Sequence, residues 1–231
     1  MSNTQPPEKF VPSDGTKLDV HSTFNTIQGE GPFSGYRAFF IRLAGCNLQC
    51  PGCDTEYTQG RAKVEISSIV ERARMSPAGL VVITGGEPFR QNIAPLVKAL
   101  IAAGKLVQIE TNGTLPQSPE LPNVGCYVVC SPKTPSINQR LASRANAFKY
   151  VVDADNYDER DGLPTIVLGN QCRDGAVVAR PPVGAKIPVF IQPADVKDAE
   201  QNLRNNATAV RSCLETNRIL QLQIHKLIGV E

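Results

Sequence analysis

The chain alternates short apolar runs with longer amphipathic ones over most of its length. Residues 18–27 read as extended chain running into a glycine-rich loop, Gln28-Gly29-Glu30-Gly31-Pro32. Residues 37–43 then predict a strand, with Ala38, Phe39, Phe40, Ile41 and Leu43 apolar. Helical spacing marks 66–74 and 92–103, the second through Ile93, Leu96, Val97, Leu100 and Ile101. Short apolar strands are predicted at 79–83, 105–110, 124–130, 147–152 and 187–191. A long helix is predicted over 195–217, with Leu203, Ala207, Val210 and Leu214 along one face, and a last strand over 219–224.

Strands alternating with helices imply an α/β fold with a mostly parallel sheet under helices. The strands end in Thr84-Gly85-Gly86, Glu110-Thr111-Asn112-Gly113, Ser131-Pro132-Lys133 and Gln192-Pro193. Such folds gather ligands at the C-terminal ends of their strands, so the polar punctuation falls where a site belongs. Residues 156–186 break the rhythm with many Gly, Pro and Arg and predict an inserted loop or hairpin in an otherwise single domain, 1–231. Residues 1–15 are polar and proline-rich, are expected to be disordered, and hold no signal-peptide core.

Composition adds bounds. A chain of 231 residues suits one domain and needs no disulfide staples. Its 41% hydrophobic and 20% charged residues are a globular balance. A net charge of +2 gives no ground for a nucleic-acid or membrane partner. The apolar stretches are far too short to span a bilayer, which makes the cytoplasm the expected place. There, seven cysteines, an odd number, point to metal or redox chemistry rather than disulfides. Cys126 and Cys130, four apart on a strand, face one side; they read as buried apolar residues in preference to a second metal site.

The chemistry concentrates in Cys46-Asn47-Leu48-Gln49-Cys50-Pro51-Gly52-Cys53. Three thiols on one tight loop predict a metal site. Structural zinc and electron-transfer clusters take four protein ligands. Here no fourth cysteine lies nearby, and no histidine follows before His225. Three cysteines leave one iron of a cubane open to chelate the amino and carboxylate groups of S-adenosylmethionine. Radical chemistry of that kind comes from the cofactor, because no side chain supplies it unaided.

The Cys-x3-Cys-x2-Cys spacing resembles that of radical S-adenosylmethionine enzymes, and Gly85-Gly86-Glu87-Pro88 resembles their Gly-Gly-Glu-Pro motif. The family has an aromatic residue before its third cysteine; here that position is Gly52. The fold this implies is an incomplete parallel β/α barrel. Phe24-Asn25-Thr26-Ile27-Gln28-Gly29-Glu30-Gly31, Phe40-Ile41-Arg42-Leu43-Ala44-Gly45-Cys46, Cys53-Asp54-Thr55 and Gln223-Ile224-His225-Lys226 together look like the 7-carboxy-7-deazaguanine synthases within that family. Those enzymes contract 6-carboxy-5,6,7,8-tetrahydropterin to a 7-deazapurine, with loss of ammonia, on the way to queuosine. They use a [4Fe–4S] cluster, S-adenosylmethionine and Mg²⁺.

The resemblance implies roles here. Cys46, Cys50 and Cys53 would hold the cluster. Ile27, Gln28, Gly29 and Glu30 would line the pterin pocket, with Arg42 on the substrate carboxylate and Thr84 also against substrate. Glu231, at the chain end, would close over it. Gly86, Ser131, Pro132, Lys133, Gln192, Pro193, Ala194 and Asp195 would hold S-adenosylmethionine, and Thr55 would bind Mg²⁺. The glycine-rich loop 28–35 would act as a lid against water. A homodimer and an electron donor such as flavodoxin or ferredoxin are implied as partners. Two alternatives stay open on the cysteine motif: an activase that installs a glycyl radical on a partner protein, and an electron carrier or zinc module without catalysis.

Overall fold

The computed structural model describes residues 3–170 and 175–230. A nine-stranded sheet runs through it in the order β11-β10-β7-β6-β5-β4-β2-β1-β3. Its strands are β1 (Lys17–Ile27), β2 (Arg37–Leu43), β3 (Ala62–Glu65), β4 (Leu80–Gly85), β5 (Leu106–Thr111), β6 (Cys126–Cys130), β7 (Ala147–Val152), β10 (Val189–Pro193) and β11 (Ile219–Leu220). From β2 to β11 every neighbouring pair is parallel, while β1 and β3 add an antiparallel edge. β3 and β11 do not pair, so the sheet is an open, incomplete barrel. The helices are α1 (Ile66–Met75), α2 (Ala94–Ala102), α3 (Gln139–Arg144), α4 (Ala199–Thr216) and α5 (Ile224–Leu227).

Successive side chains on a strand point to opposite faces, and this period sorts core from site. Phe39, Ile41 and Leu43 of β2, Val81 and Ile83 of β4, Val107 and Ile109 of β5, and Phe148, Tyr150 and Val152 of β7 all join the main core. They pack there with Ile69, Val70 and Ala73 of α1 and Leu96, Val97 and Leu100 of α2. The alternate positions face inward and carry polar groups deep in the sheet: Arg42, Thr84, Glu110, Lys149 and Gln192. The register pairs Arg42 with Thr84, side by side.

Most of the expected elements are present, and β2 and β7 have their expected bounds. Other expectations need correction. The last strand is only Ile219–Leu220, and Ile224 already begins α5. The helix after β10 starts at Ala199 rather than 195, capped by Asp198, whose carboxylate accepts from Gln201 N–H at 3.0 Å. Its apolar stripe faces outward. Leu203 and Leu214 are 70% and 82% exposed, and the buried face is Asn205, Thr208, Ala209 and Ser212. Asn205 earns that position by bonding, accepting from Ala154 N–H and donating to Ala194 O at 2.9 Å each.

Residues 3–15 form no helix or strand before a bend, and part of this segment runs along the cysteine loop. Asn3 N–H donates to Pro51 O at 3.0 Å and Glu8 N–H to Cys46 O at 2.6 Å. In the inserted segment, β8 (Tyr157–Asp158) and β9 (Leu163–Pro164) form the expected hairpin. Cys126 and Cys130 are buried in the main core; Cys172 lies outside the described residues.

Candidate active site

One cavity of about 670 Å³ opens at the C-terminal ends of the parallel strands. All three loop cysteines line it, with Ile27, Gln28, Gly29, Glu30, Arg42, Thr55, Thr84, Gly86, Ser131, Lys133, Gln192, Ala194 and Asp195. Pro132 and Pro193 do not line it. Glu231 lies outside the described residues.

The cysteine loop follows β2 directly and is braced from two sides. Gln5 donates to Thr55 O at 2.9 Å and accepts from Tyr57 N–H at 2.7 Å. The fully buried Arg90 donates to Ala44 O at 3.0 Å and pairs with Glu8 at 3.3 Å. Gly85 and Gly86 carry the crossing of this loop over β4. A Cβ at Gly85 would lie 2.1 Å from Leu43 O, and one at Gly86 would lie 2.0 Å from Gly45 O. So the two glycines are required by backbone meeting backbone. Glu87, fully buried, ties the neighbouring strand end to them. Its carboxylate accepts from Thr111 Oγ1 at 2.7 Å, Asn112 N–H at 2.8 Å and Phe89 N–H at 3.0 Å. Burial pushes its carboxyl above the usual glutamate range, and these hydrogen bonds oppose the rise.

Cys46 and Cys50 are buried and Cys53 half-buried, and all three are free thiols. Burial pushes the Cys46 thiol up to about 12 and raises Cys53 too. A metal taken up here therefore displaces thiol protons. Among the described residues no three His, Cys, Asp or Glu side chains are grouped as ligands of a single ion. A cubane does not ask for that, since each thiolate takes a different iron.

The other end of the cavity is a buried charge network. Lys149, on the inward face of β7, pairs with Glu30 and, at 2.8 Å, with Glu110. Gln28 donates to Glu110 at 3.0 Å and accepts from Glu30 N–H at 3.1 Å. Gln223 donates to Glu30 at 2.6 Å. Burial alone would raise the Glu30 carboxyl, but Lys149, Gln223 and His225 outweigh it and hold it at about 2. Lys149 in turn stays charged well above the ordinary lysine range; its two carboxylates outweigh the cost of burial. Arg42 sits in the cavity wall with its guanidinium 5.2 Å from the Phe24 ring centre.

The expected lid segment is hydrogen-bonded into the cavity wall in this structure. Gly35 N–H donates to Gln28 O, and Gln28 N–H to Tyr36 O, at 2.8 Å each. Gln221 from the C-terminal segment donates to Gly29 O at 3.0 Å. A Cβ at Gly29 would lie 1.9 Å from His225 Nδ1, so the histidine packs directly on this turn. Lys226 reaches Asp195 at 3.0 Å and Asp54 at 3.7 Å, drawing the same segment toward the cysteine loop.

Glu110 and Lys149 were not singled out from the sequence. Glu110 stood in a polar strand end and was findable there. Lys149 was the one charge inside an apolar strand, a signal of the same kind as Arg42.

The residues fit S-adenosylmethionine at the strand ends by one further feature. Gln192 Oε1 is buried in the cavity wall and has no hydrogen-bond partner among the described residues. Such an acceptor costs about 1–3 kcal/mol, which a donor on a bound ligand recovers.

An open parallel barrel that presents three free thiols and a polar pocket at its strand ends is built as a radical S-adenosylmethionine enzyme. No family model matches the chain. It is 42% identical to the 7-carboxy-7-deazaguanine synthase of Rhodospirillum rubrum over 228 residues, 95% of each chain. It is 39% identical to that of Rickettsia prowazekii, covering 100% of this chain and 96% of the relative. The crystal structure of QueE from Escherichia coli superposes with a TM-score of 0.66 at 24% identity, over 89% of this chain and 93% of that one, a likeness of fold. The chain belongs to the 7-carboxy-7-deazaguanine synthase family.

Proposed function

We propose that this protein converts 6-carboxy-5,6,7,8-tetrahydropterin to 7-carboxy-7-deazaguanine with loss of ammonia, in queuosine biosynthesis. The observation that carries the reading is one cavity that joins three free thiols to a buried carboxylate–lysine network and an arginine. A bound [4Fe–4S] cluster and S-adenosylmethionine supply the carbon-centred radical. The chain's own residues do the rest. Cys46, Cys50 and Cys53 would hold the cluster through their thiolates. Ser131, Lys133, Gln192, Ala194 and Asp195 would seat the cofactor, with Gly86 in the same cavity wall.

Gln28 and Glu30 read the pterin edge, which presents both donors and acceptors. The Gln28 side chain is oriented before substrate arrives by accepting from Glu30 N–H and donating to Glu110, and the Glu30 carboxylate by Lys149. Arg42 holds the substrate carboxylate in a bidentate pair. Ile27, Gly29 and Thr84 complete the pocket wall. Thr55 would bind Mg²⁺, which prefers hard oxygen ligands, and Asp54, which accepts from Thr55 Oγ1 at 3.3 Å, lies beside it. The pinned 28–35 wall and the C-terminal segment keep water from the reacting centre.

Six cysteines are free thiols among the described residues, which suits a reducing cytoplasm. No helix among them is long and apolar enough to cross a membrane. The electron donor is a flavodoxin or ferredoxin, and the enzyme is a homodimer through the outward stripe of α4.

The test is anaerobic. The reconstituted chain, given reductant, S-adenosylmethionine, Mg²⁺ and the carboxytetrahydropterin, forms the deazapurine, while Cys46→Ala, Cys50→Ala and Cys53→Ala lose both product and cluster absorbance. Formation of 5′-deoxyadenosine only in the presence of a partner protein would establish the activase instead. Thr55→Ala is expected to raise the Mg²⁺ concentration needed for half-maximal rate; an unchanged Mg²⁺ response removes Thr55 from the site.

A further inference from the structure

The insertion between β7 and β10 reaches the cysteine loop. Beyond the β8–β9 hairpin it folds back on that hairpin: Arg180 pairs with Asp161 at 2.7 Å and donates to Pro164 O at 2.7 Å, both within the insertion. It is tied to the barrel at β7, where Tyr150 OH donates to Ala179 O at 2.8 Å. Residues 167–170 then turn back sharply. Asn170 N–H donates to Val167 O at 3.1 Å, and the two central residues, Leu168 and Gly169, have φ of 51° and 73°. Leucine is a poor occupant of such a turn, and strain of this kind persists only where the surroundings impose it.

The surroundings here are the cysteine loop. Gly52 N–H donates to Leu168 O at 2.9 Å. A Cβ at Gly52 would already stand 3.4 Å from that oxygen, and one at Gly169 would stand 3.3 Å from Pro51 Cβ. Leu168 and Gly169 both line the active-site cavity. Asn170 Nδ2 donates to Cys50 Sγ at 2.9 Å, across 120 residues of sequence.

We propose that the 167–170 turn is part of the cluster site. Its backbone occupies the place left by the absent side chain at Gly52, and the Asn170 amide, donating to the Cys50 sulfur, raises the cluster's reduction potential. The proposal rests on the cluster reading above and gives the insertion its role. A donor at a ligating sulfur stabilises the negative charge that one electron from the external reductant adds, and hydrogen bonds to sulfur are among the levers that set cluster potentials. The turn also covers that thiol from solvent. Asn170 is a positioning and tuning residue; it touches a ligand and not the substrate.

The experiment uses the full chain, reconstituted anaerobically, with the cluster potential read by an EPR-monitored redox titration. Asn170→Ala and the isosteric Asn170→Asp are expected to keep full iron, since all three thiols remain. Their midpoints are expected to fall, further for Asp, whose carboxylate adds negative charge beside the sulfur. In wild type, ENDOR is expected to show a deuterium-exchangeable proton coupled to the cluster that both variants lack. An unchanged midpoint in iron-replete Asn170→Ala would overturn the proposal. If that variant loses iron, wild type decides: with ¹⁵N-labelled asparagine, no nitrogen or exchangeable proton coupled to the cluster sinks the idea. A wild-type chain that takes up no EPR-active cluster, or a Cys50→Ala chain that keeps one unchanged, overturns the cluster reading itself.

Discussion

Lys149 is the residue whose meaning depends most on its neighbours. On β7 it interrupts an apolar strand, and in the fold it neutralises two carboxylates that arrive from β5 and from the loop after β1. Removing one partner of a buried pair is far more costly than never having had it. Lys149→Met is therefore expected to lower unfolding stability by about 3–5 kcal/mol, read by denaturant titration. The pH sign follows from Glu30. Its carboxyl sits at about 2 in the folded chain against an ordinary 4.5, so the unfolded chain binds the extra proton first. The stability it contributes is present above about pH 4.5 and is lost as the pH falls through about 2. Glu30→Gln is expected to flatten that part of the stability–pH curve; an unaltered slope would show that Glu30 is not held down by its partners. The signal for Arg42 and Lys149 was the same, a cation on an apolar strand. What could not be seen was which carboxylates Lys149 would meet, because Glu30 stands 119 residues before it.

At the scale of elements, β2, β4, β5 and β7 follow from local pattern alone, because a parallel strand buried on both faces is a near-continuous apolar run. α4 is the counter-example. Its apolar stripe obeys helical spacing, yet its buried face is Asn205, Thr208, Ala209 and Ser212. Those small and polar groups pack on the sheet by hydrogen bonds, such as Asn205 with Ala154 and Ala194. The leucines, the stripe that the proposed homodimer would cover, are left exposed, as are Leu220 and Leu222. The double variant Leu203→Lys, Leu214→Lys is expected to change unfolding stability of the isolated chain by less than about 0.5 kcal/mol, the usual bound for surface positions. In sedimentation it is expected to run as a monomer where wild type runs as a dimer. A wild-type monomer, or a variant that stays dimeric, removes this stripe as the interface. The glycine pair after β4 shows a different limit. Its place was visible, but its reason, the crossing of Gly86 under Gly45, belongs to two elements at once.

At the scale of the whole molecule, the cysteine loop is the point where distant segments converge. It is held by residues 3–8, by Arg90 after β4, and by the 167–170 turn of the insertion. Deleting residues 1–12 removes Asn3, Gln5 and Glu8 from the loop and leaves Arg90 without its Glu8 partner. Hydrogen bonds to charged groups contribute about 1.5–3 kcal/mol each, so a lower thermal midpoint is expected. The truncated chain is also expected to lose iron faster in gel filtration under anaerobic conditions. Equal iron retention would show that the N-terminal segment is passive.

The sequence by itself determined what is local or periodic. The strand runs, the three-cysteine spacing and the polar residues at strand ends all depend on neighbours within a few positions, where geometry follows from backbone period. It also carried enough likeness to indicate the family. Only the tertiary structure decided which face of α4 is covered, which charges Lys149 meets, where residues 3–8 lie and what the insertion touches. Each of those rests on contacts between segments tens to more than a hundred residues apart, whose partners no local pattern names.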